Sequence, residues 1–95
     1  MAIVVRTAIE SGDQEAHDRL DQSVERAIAR RGGPPDGLMV HLACPSGQGF
    51  LIVDVWRSEN AFRAWWNDVM EPALAEVNLA AGEHEINPVW SLARP

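Results

Sequence analysis

From position 50 to position 56 the chain is apolar at every residue except Asp54. The run is rich in β-branched and aromatic side chains and too short for a helix, so it predicts a strand. Leu51, Val53 and Val55 alternate with Phe50, Ile52 and Trp56, which means that both faces are expected to be covered. The period then changes. Phe62, Trp65, Trp66, Val69, Met70, Ala73 and Leu74 recur at helical spacing, with Asn60, Arg63, Asn67, Asp68 and Glu71 between them. Ser58 stands where an N-cap is needed. Pro72 has no amide hydrogen to donate, which predicts a kink or break near residues 70–72.

The rest of the chain reads in the same way. Residues 2–9 alternate as a strand, with Ile3, Val5 and Thr7 facing one way and Val4 and Arg6 the other. The next segment, Gln14–Arg31, predicts a helix with a stripe of His17, Leu20, Val24, Ala27 and Ile28. Ser11 or Asp13 caps it, and Gly32-Gly33-Pro34-Pro35 stops it. Residues 38–44 form a second strand that turns back through residues 45–49. Beyond Pro72 a further helical piece is expected to run to Gly82. Residues 83–93 then read as a fourth strand, in which Pro88 requires an edge position or a late start of regular pairing. The order β-α-β-β-α-β predicts one α+β domain over residues 1–95, ferredoxin-like, with a four-stranded antiparallel sheet.

Size and charge narrow the picture. A chain of this length buries only about 60–70% of its unfolded surface, so strands covered on both faces suggest a second subunit. A net charge of −6 argues against a nucleic-acid partner. The lone Cys44 excludes an intrachain disulfide and fits a reducing compartment. No apolar run approaches the roughly 20 residues of a membrane span. The opening MAIVV is too short for a signal peptide, so no membrane association and a cytoplasmic setting are expected.

The chemistry centres on Asp54, a carboxylate in an apolar strand that must be paired or wetted. If Pro45 and Phe50 close the hairpin, His41 lies opposite Asp54 on one face; a loop one residue shorter turns His41 to the other face. The first register also matches Leu38, Val40 and Leu42 with Leu51, Val53 and Val55, and sets Met39 opposite Trp56. A His–Asp pair can serve as a general base with an orienting carboxylate, as a ligand contact, or as an ordinary satisfied pair in a small core. Spaced as Trp65 and Trp66 are on a helix stripe, the tryptophans fit a core or interface first and a platform for a flat ligand second. His17 sits at the edge of its helix stripe, and His84 is assigned to a loop between Glu83 and Glu85. The three histidines show no zinc spacing, so no metal is expected.

Certain segments resemble a known group. These are Val53-Asp54-Val55-Trp56 followed by Ser58, Glu59 and Ala61-Phe62, the Pro34-Pro35-x-Gly37 lead into the second strand, and Pro88-Val89. The chain is similar, over nearly its whole length, to small stand-alone members of the dimeric α+β barrel superfamily, which includes the antibiotic-biosynthesis monooxygenase domains. The resemblance implies a homodimer with two sheets packed face to face, and a cleft between sheet and helices for a hydrophobic or aromatic small molecule. It implies cofactor-free monooxygenase or isomerase chemistry on an aromatic or enolisable substrate, with no cofactor; in such chemistry the His41–Asp54 pair read above from the hairpin register is the candidate base and its orienting partner. Trp56 matches the place of a cleft aromatic, with Trp65, Trp66, Met39, His17 and Trp90 as further substrate contacts. Haem-degrading members carry Asn on the first strand and His on the second helix, and this chain has neither. The alternative is a non-catalytic ligand-binding or structural accessory dimer.

Overall fold

The computed structural model describes residues 1–93. Four strands, β1 (Ile3–Ile9), β2 (Leu38–Ser46), β3 (Gly49–Trp56) and β4 (Ala81–Pro88), form one antiparallel sheet in the order β2-β3-β1-β4. Helix α1 (Gln14–Arg31) joins β1 to β2. Between β3 and β4 run α2 (Glu59–Trp65), a π-helical turn (Trp66–Met70) and α3 (Glu71–Glu76). This is the ferredoxin-like arrangement that the order of elements requires.

The core lies between the sheet and the helices. Ile3, Val5 and Ile9 of β1 and Phe50, Ile52 and Trp56 of β3 point into it, and Phe62, Val69 and Leu74 meet them from the helical side. Ser58 caps α2 by accepting from the Ala61 amide at 3.1 Å, and Asp13 caps α1 by accepting from Ala16 at 2.9 Å. Arg26 Nη2 donates to Glu76 Oε1 at 2.6 Å, joining α1 to α3, and the guanidinium holds the Glu76 carboxyl below its usual range.

Three local departures from the pattern matter. Pro72 does not break the helix. The chain widens one turn earlier, where the Glu71 amide reaches Trp66 O, and continues into α3. The wide turn removes the conflict between the proline ring and the preceding carbonyls. Next, α3 ends at Glu76 rather than near Gly82. Asn78 takes the left-handed conformation at φ 58°, and the Leu79 amide bonds to Leu74 O at 3.0 Å, a Schellman closure. The last strand accordingly starts earlier than expected, at Ala81, and ends at Pro88, on the sheet edge that proline needs. Finally, β2 contains a bulge. Leu38 pairs with Trp56 and Val40 with Val55, leaving Met39 as the extra residue. The expected Met39–Trp56 pairing is replaced by Leu38–Trp56.

The hairpin closes with Pro45 opposite Phe50 and Ser46 opposite Gly49, around Gly47-Gln48. Gly49 lies against β1 so closely that a Cβ there would fall on the Ile9 carbonyl. Replacing Gly49 by Ala should therefore cost much more stability than Ser58→Ala, which removes one cap and about 1 kcal/mol. Chemical denaturation of both variants checks the order; equal losses would contradict the close approach.

Candidate functional site

The inner face of the sheet carries one charged pair. His41 of β2 lies opposite Asp54 of β3, and His41 Nδ1 and Asp54 Oδ1 are 2.6 Å apart. Asp54 is 7% exposed. Its second oxygen is 3.4 Å from Trp56 Nε1, a long contact in which the indole N–H donates. An ionised Asp54 can only accept, so neutral His41 carries its proton on Nδ1. No side-chain partner holds Nε2 among the described residues. The hydrogen bond that His41 donates to Asp54 is the largest influence on His41 and raises its pKa above the ordinary 6.5, against the opposing effect of burial; the charges of Asp54 and Asp21 add to the rise.

This pair stands at the wall of a cavity of about 240 Å³ between α1, α2 and the sheet. Trp65, Trp66 and Phe62 supply its aromatic side, Leu20, Val24 and Ile28 of α1 its aliphatic side, and Thr7 and Ile52 part of its floor. The stripe of α1 thus faces a space and is not fully packed, which is why Val24 and Ile28 are only half-buried. Asp21 and Glu25, one turn apart on α1, are its remaining charged residues, and no arginine lines it among the described residues.

The expected contacts divide. Trp65 and Trp66 line the cavity, as does His17, whose ring stands edge-on to Phe50 at 5.3 Å. A second, shallower groove of about 170 Å³ shares His17 and includes Cys44. Trp56, expected at the cleft wall, is instead wholly buried at 0% exposure, packed between Phe62 and Trp65 behind that wall. Met39 is the bulge residue, and Leu38 takes its place at the cavity. Trp90 lies two residues beyond β4, is 96% exposed and has no place in the lining.

Two further polar residues stand at the site, Thr7 and His84, which the spacing of motifs does not single out. Thr7 lies on the expected face of β1, and its signal in the sequence is a lone hydroxyl on an otherwise apolar face. His84 belongs to β4, not to a loop, and pairs with Thr7, with Nδ1 and Thr7 Oγ1 2.8 Å apart. Burial, then the charge of Arg63, lowers its pKa. Among the described residues no three His, Cys, Asp or Glu side chains group to hold a metal ion, and no helix is long and apolar enough to cross a membrane.

No protein-family model matches the chain, and no curated protein matches its sequence. Solved structures do match its shape. SnoaB, a cofactor-independent oxygenase from Streptomyces nogalater, superposes with a TM-score of 0.61 at 15% identity, over 96% of this chain and 93% of that one. A protein of unknown function from Nitrosomonas europaea gives 0.69 at 18% identity, over 99% and 94%. A proposed antibiotic biosynthesis monooxygenase from Deinococcus radiodurans gives 0.60 at 18%, over 100% and 98%. At such identities the likeness is one of fold, and the chain has the ferredoxin-like α+β fold found in antibiotic biosynthesis monooxygenase-like proteins.

Proposed function

We propose that the cavity binds a flat aromatic or enolisable small molecule and that His41, oriented by Asp54, removes a proton from it in a cofactor-free oxygenation. The observation that carries this reading is the 2.6 Å His41–Asp54 hydrogen bond at the wall of an aromatic-lined cavity. The fold shared with a cofactor-independent oxygenase supports it. Nε2 accepts a proton from an acidic C–H or O–H, and Asp54 stabilises the resulting imidazolium. For a substrate methylene, the carbanion passes one electron to dioxygen and the radical pair recombines to a peroxide. The peroxide is protonated by the imidazolium and loses water. Two hydrogens leave the carbon, one oxygen atom stays as a ketone and the other departs in water. The substrate itself is the reductant and dioxygen the oxidant.

A homodimer is part of the same reading. Val4, Val40, Leu42, Leu51, Val53 and Val55 make an apolar patch on the sheet face opposite to both helices, with Arg6, Glu85 and Asn87 on the same face toward β4, and Leu42 is 46% exposed. A second copy packed sheet to sheet would cover it. The lone exposed Cys44 supports a reducing, cytoplasmic setting.

Dioxygen uptake with an anthrone or a comparable phenol tests the chemistry. His41→Ala should lower turnover by about 100-fold or more, while ligand binding, read by quenching of tryptophan fluorescence, persists. Binding without turnover in the unaltered protein would leave a ligand-binding module and remove the base. The pH dependence has a fixed sign. Neutral imidazole is the base, so the rate should rise with pH through the raised His41 pKa, above 6.5. The stabilisation that this shift gives runs the other way; it is fully present below 6.5 and fades as pH rises through the folded-state value. Titration of the His41 ring by NMR should show the elevation in the unaltered protein and its loss in Asp54→Asn. For the dimer, Val53→Asp should shift the molecular mass in light scattering to that of one chain; a native chain already monomeric would refute the sheet-to-sheet assembly.

A further inference from the structure

The proposed reaction leaves one polar group on the cavity floor unused. Thr7 is 2% exposed and lines the cavity, and its hydroxyl meets His84 Nδ1 at 2.8 Å. His84 is fixed in turn. Its ring centroid lies 4.3 Å from that of Trp66 and 4.9 Å from that of Phe62, nearly perpendicular to both. Both aromatic partners also line the cavity. The position of Thr7 relative to the base follows from the sheet register. Thr7 pairs with Ile52 on one side and His84 on the other, so it stands diagonally from Asp54 on the same face.

Removing a proton from the substrate creates an anion in unfavourable surroundings. Asp54, Asp21 and Glu25 already border the cavity, and no arginine does among the described residues. The strand amides around it are committed to the sheet. Developing negative charge on oxygen is stabilised by donors fixed in place beforehand, and in a space with little water such a donor acts strongly. A hydroxyl held by a neighbour that donates to its oxygen has its own proton left to give.

We propose that the Thr7 hydroxyl donates to the phenolate or enolate oxygen of the bound substrate, and that His84 is a positioning residue whose Nδ1–H donates to Thr7 Oγ1 and turns the hydroxyl proton toward the cavity. The assignment rests on His41 acting as the base. The substrate O–H or C–H bond breaks, the proton goes to His41 Nε2, and the electron pair settles on the substrate oxygen facing Thr7. No bond to Thr7 forms or breaks. The same arrangement defines the substrate class as one that places an ionisable oxygen at the sheet end of a flat apolar body.

Two matched probes test it. 4-Nitrophenol is titrated at a pH where it is ionised in free solution, and 4-nitroanisole, its methyl ether, reports the shape of the cavity alone. Thr7→Val keeps the side-chain shape and removes the donor. It should weaken binding of the phenolate by about tenfold or more, with binding of the ether unchanged. Thr7→Ser should restore the phenolate affinity. His84→Ala should lower it while sparing the ether. Equal phenolate affinity in Thr7→Val and the native protein, or equal losses for both probes, would overturn the Thr7 assignment and leave the His41 reading standing. Failure of the native protein to bind either probe would remove both.

Discussion

A carboxylate on the helix-facing side of a central strand has to be hydrogen-bonded, and that requirement shapes this chain. Asp54 meets it with His41 on one oxygen and, more weakly, Trp56 on the other. The consequence is structural before it is chemical. A one-residue slip of the β2–β3 hairpin would turn His41 outward and leave a buried charge with a single long contact, at a cost of several kcal/mol. The apolar pairings Val40–Val55 and Leu42–Val53 favour the same register. Packing and polar satisfaction therefore select one hairpin together. A buried ionic pair is weak evidence for stability, since well-packed apolar residues often do as well. Its presence beside an open space, and not inside a filled core, is what gives it chemical interest.

The space itself has a physical origin. Helix α1 presents a stripe of medium-sized side chains, Leu20, Val24 and Ile28, to the sheet, while the larger residues are concentrated on the other helical segment. Trp56 fills the core under α2, and Trp65 and Trp66 continue outward from it. Consecutive residues on an ideal helix point about 100° apart. Both tryptophans reach the cavity where α2 passes into the π-helical turn that begins at Trp66, and Val69, Met70, Ala73 and Leu74 remain buried across the turn. The proline that threatened to break the helix thus sits just beyond the segment that lets two large rings share one wall.

Most of the architecture was legible because it rests on period and punctuation. The bounds of α1, the caps at Asp13 and Ser58, the pairing of Pro45 with Phe50 and the faces of β1 and β3 all follow from side-chain spacing and local hydrogen-bonding chemistry. Most of the departures share a cause: they depend on a backbone irregularity that leaves little trace in composition. The bulge at Met39 exchanged Leu38 for Met39 at the cavity. The left-handed Asn78 ended α3 early and brought the last strand forward to Ala81, and its end at Pro88 left Trp90 outside. Trp56 failed differently. Its side chain points to the expected face, but whether that face holds a ligand or a core depends on how deeply α2 packs, and the strand pattern carries no information on depth.

The two imidazoles near the cavity show how one fold separates their roles. His41 is half-exposed and bonded to a carboxylate, so its charged form is favoured and its pKa rises. His84 is partly buried beside Phe62 and Trp66; that burial, then the charge of Arg63, disfavours its charged form and its pKa falls. At neutral pH the second is therefore the one favoured in its uncharged form, able to hold a hydroxyl, while the first is the group that would gain and return a proton in the proposed reaction. Pairs of titratable groups driven apart in this way are a common mark of acid–base sites. Here the separation arises from the sheet register: β2 brings its histidine to a carboxylate, β4 brings its histidine to a hydroxyl, and the two central strands between them carry Asp54 and Thr7 on the same face.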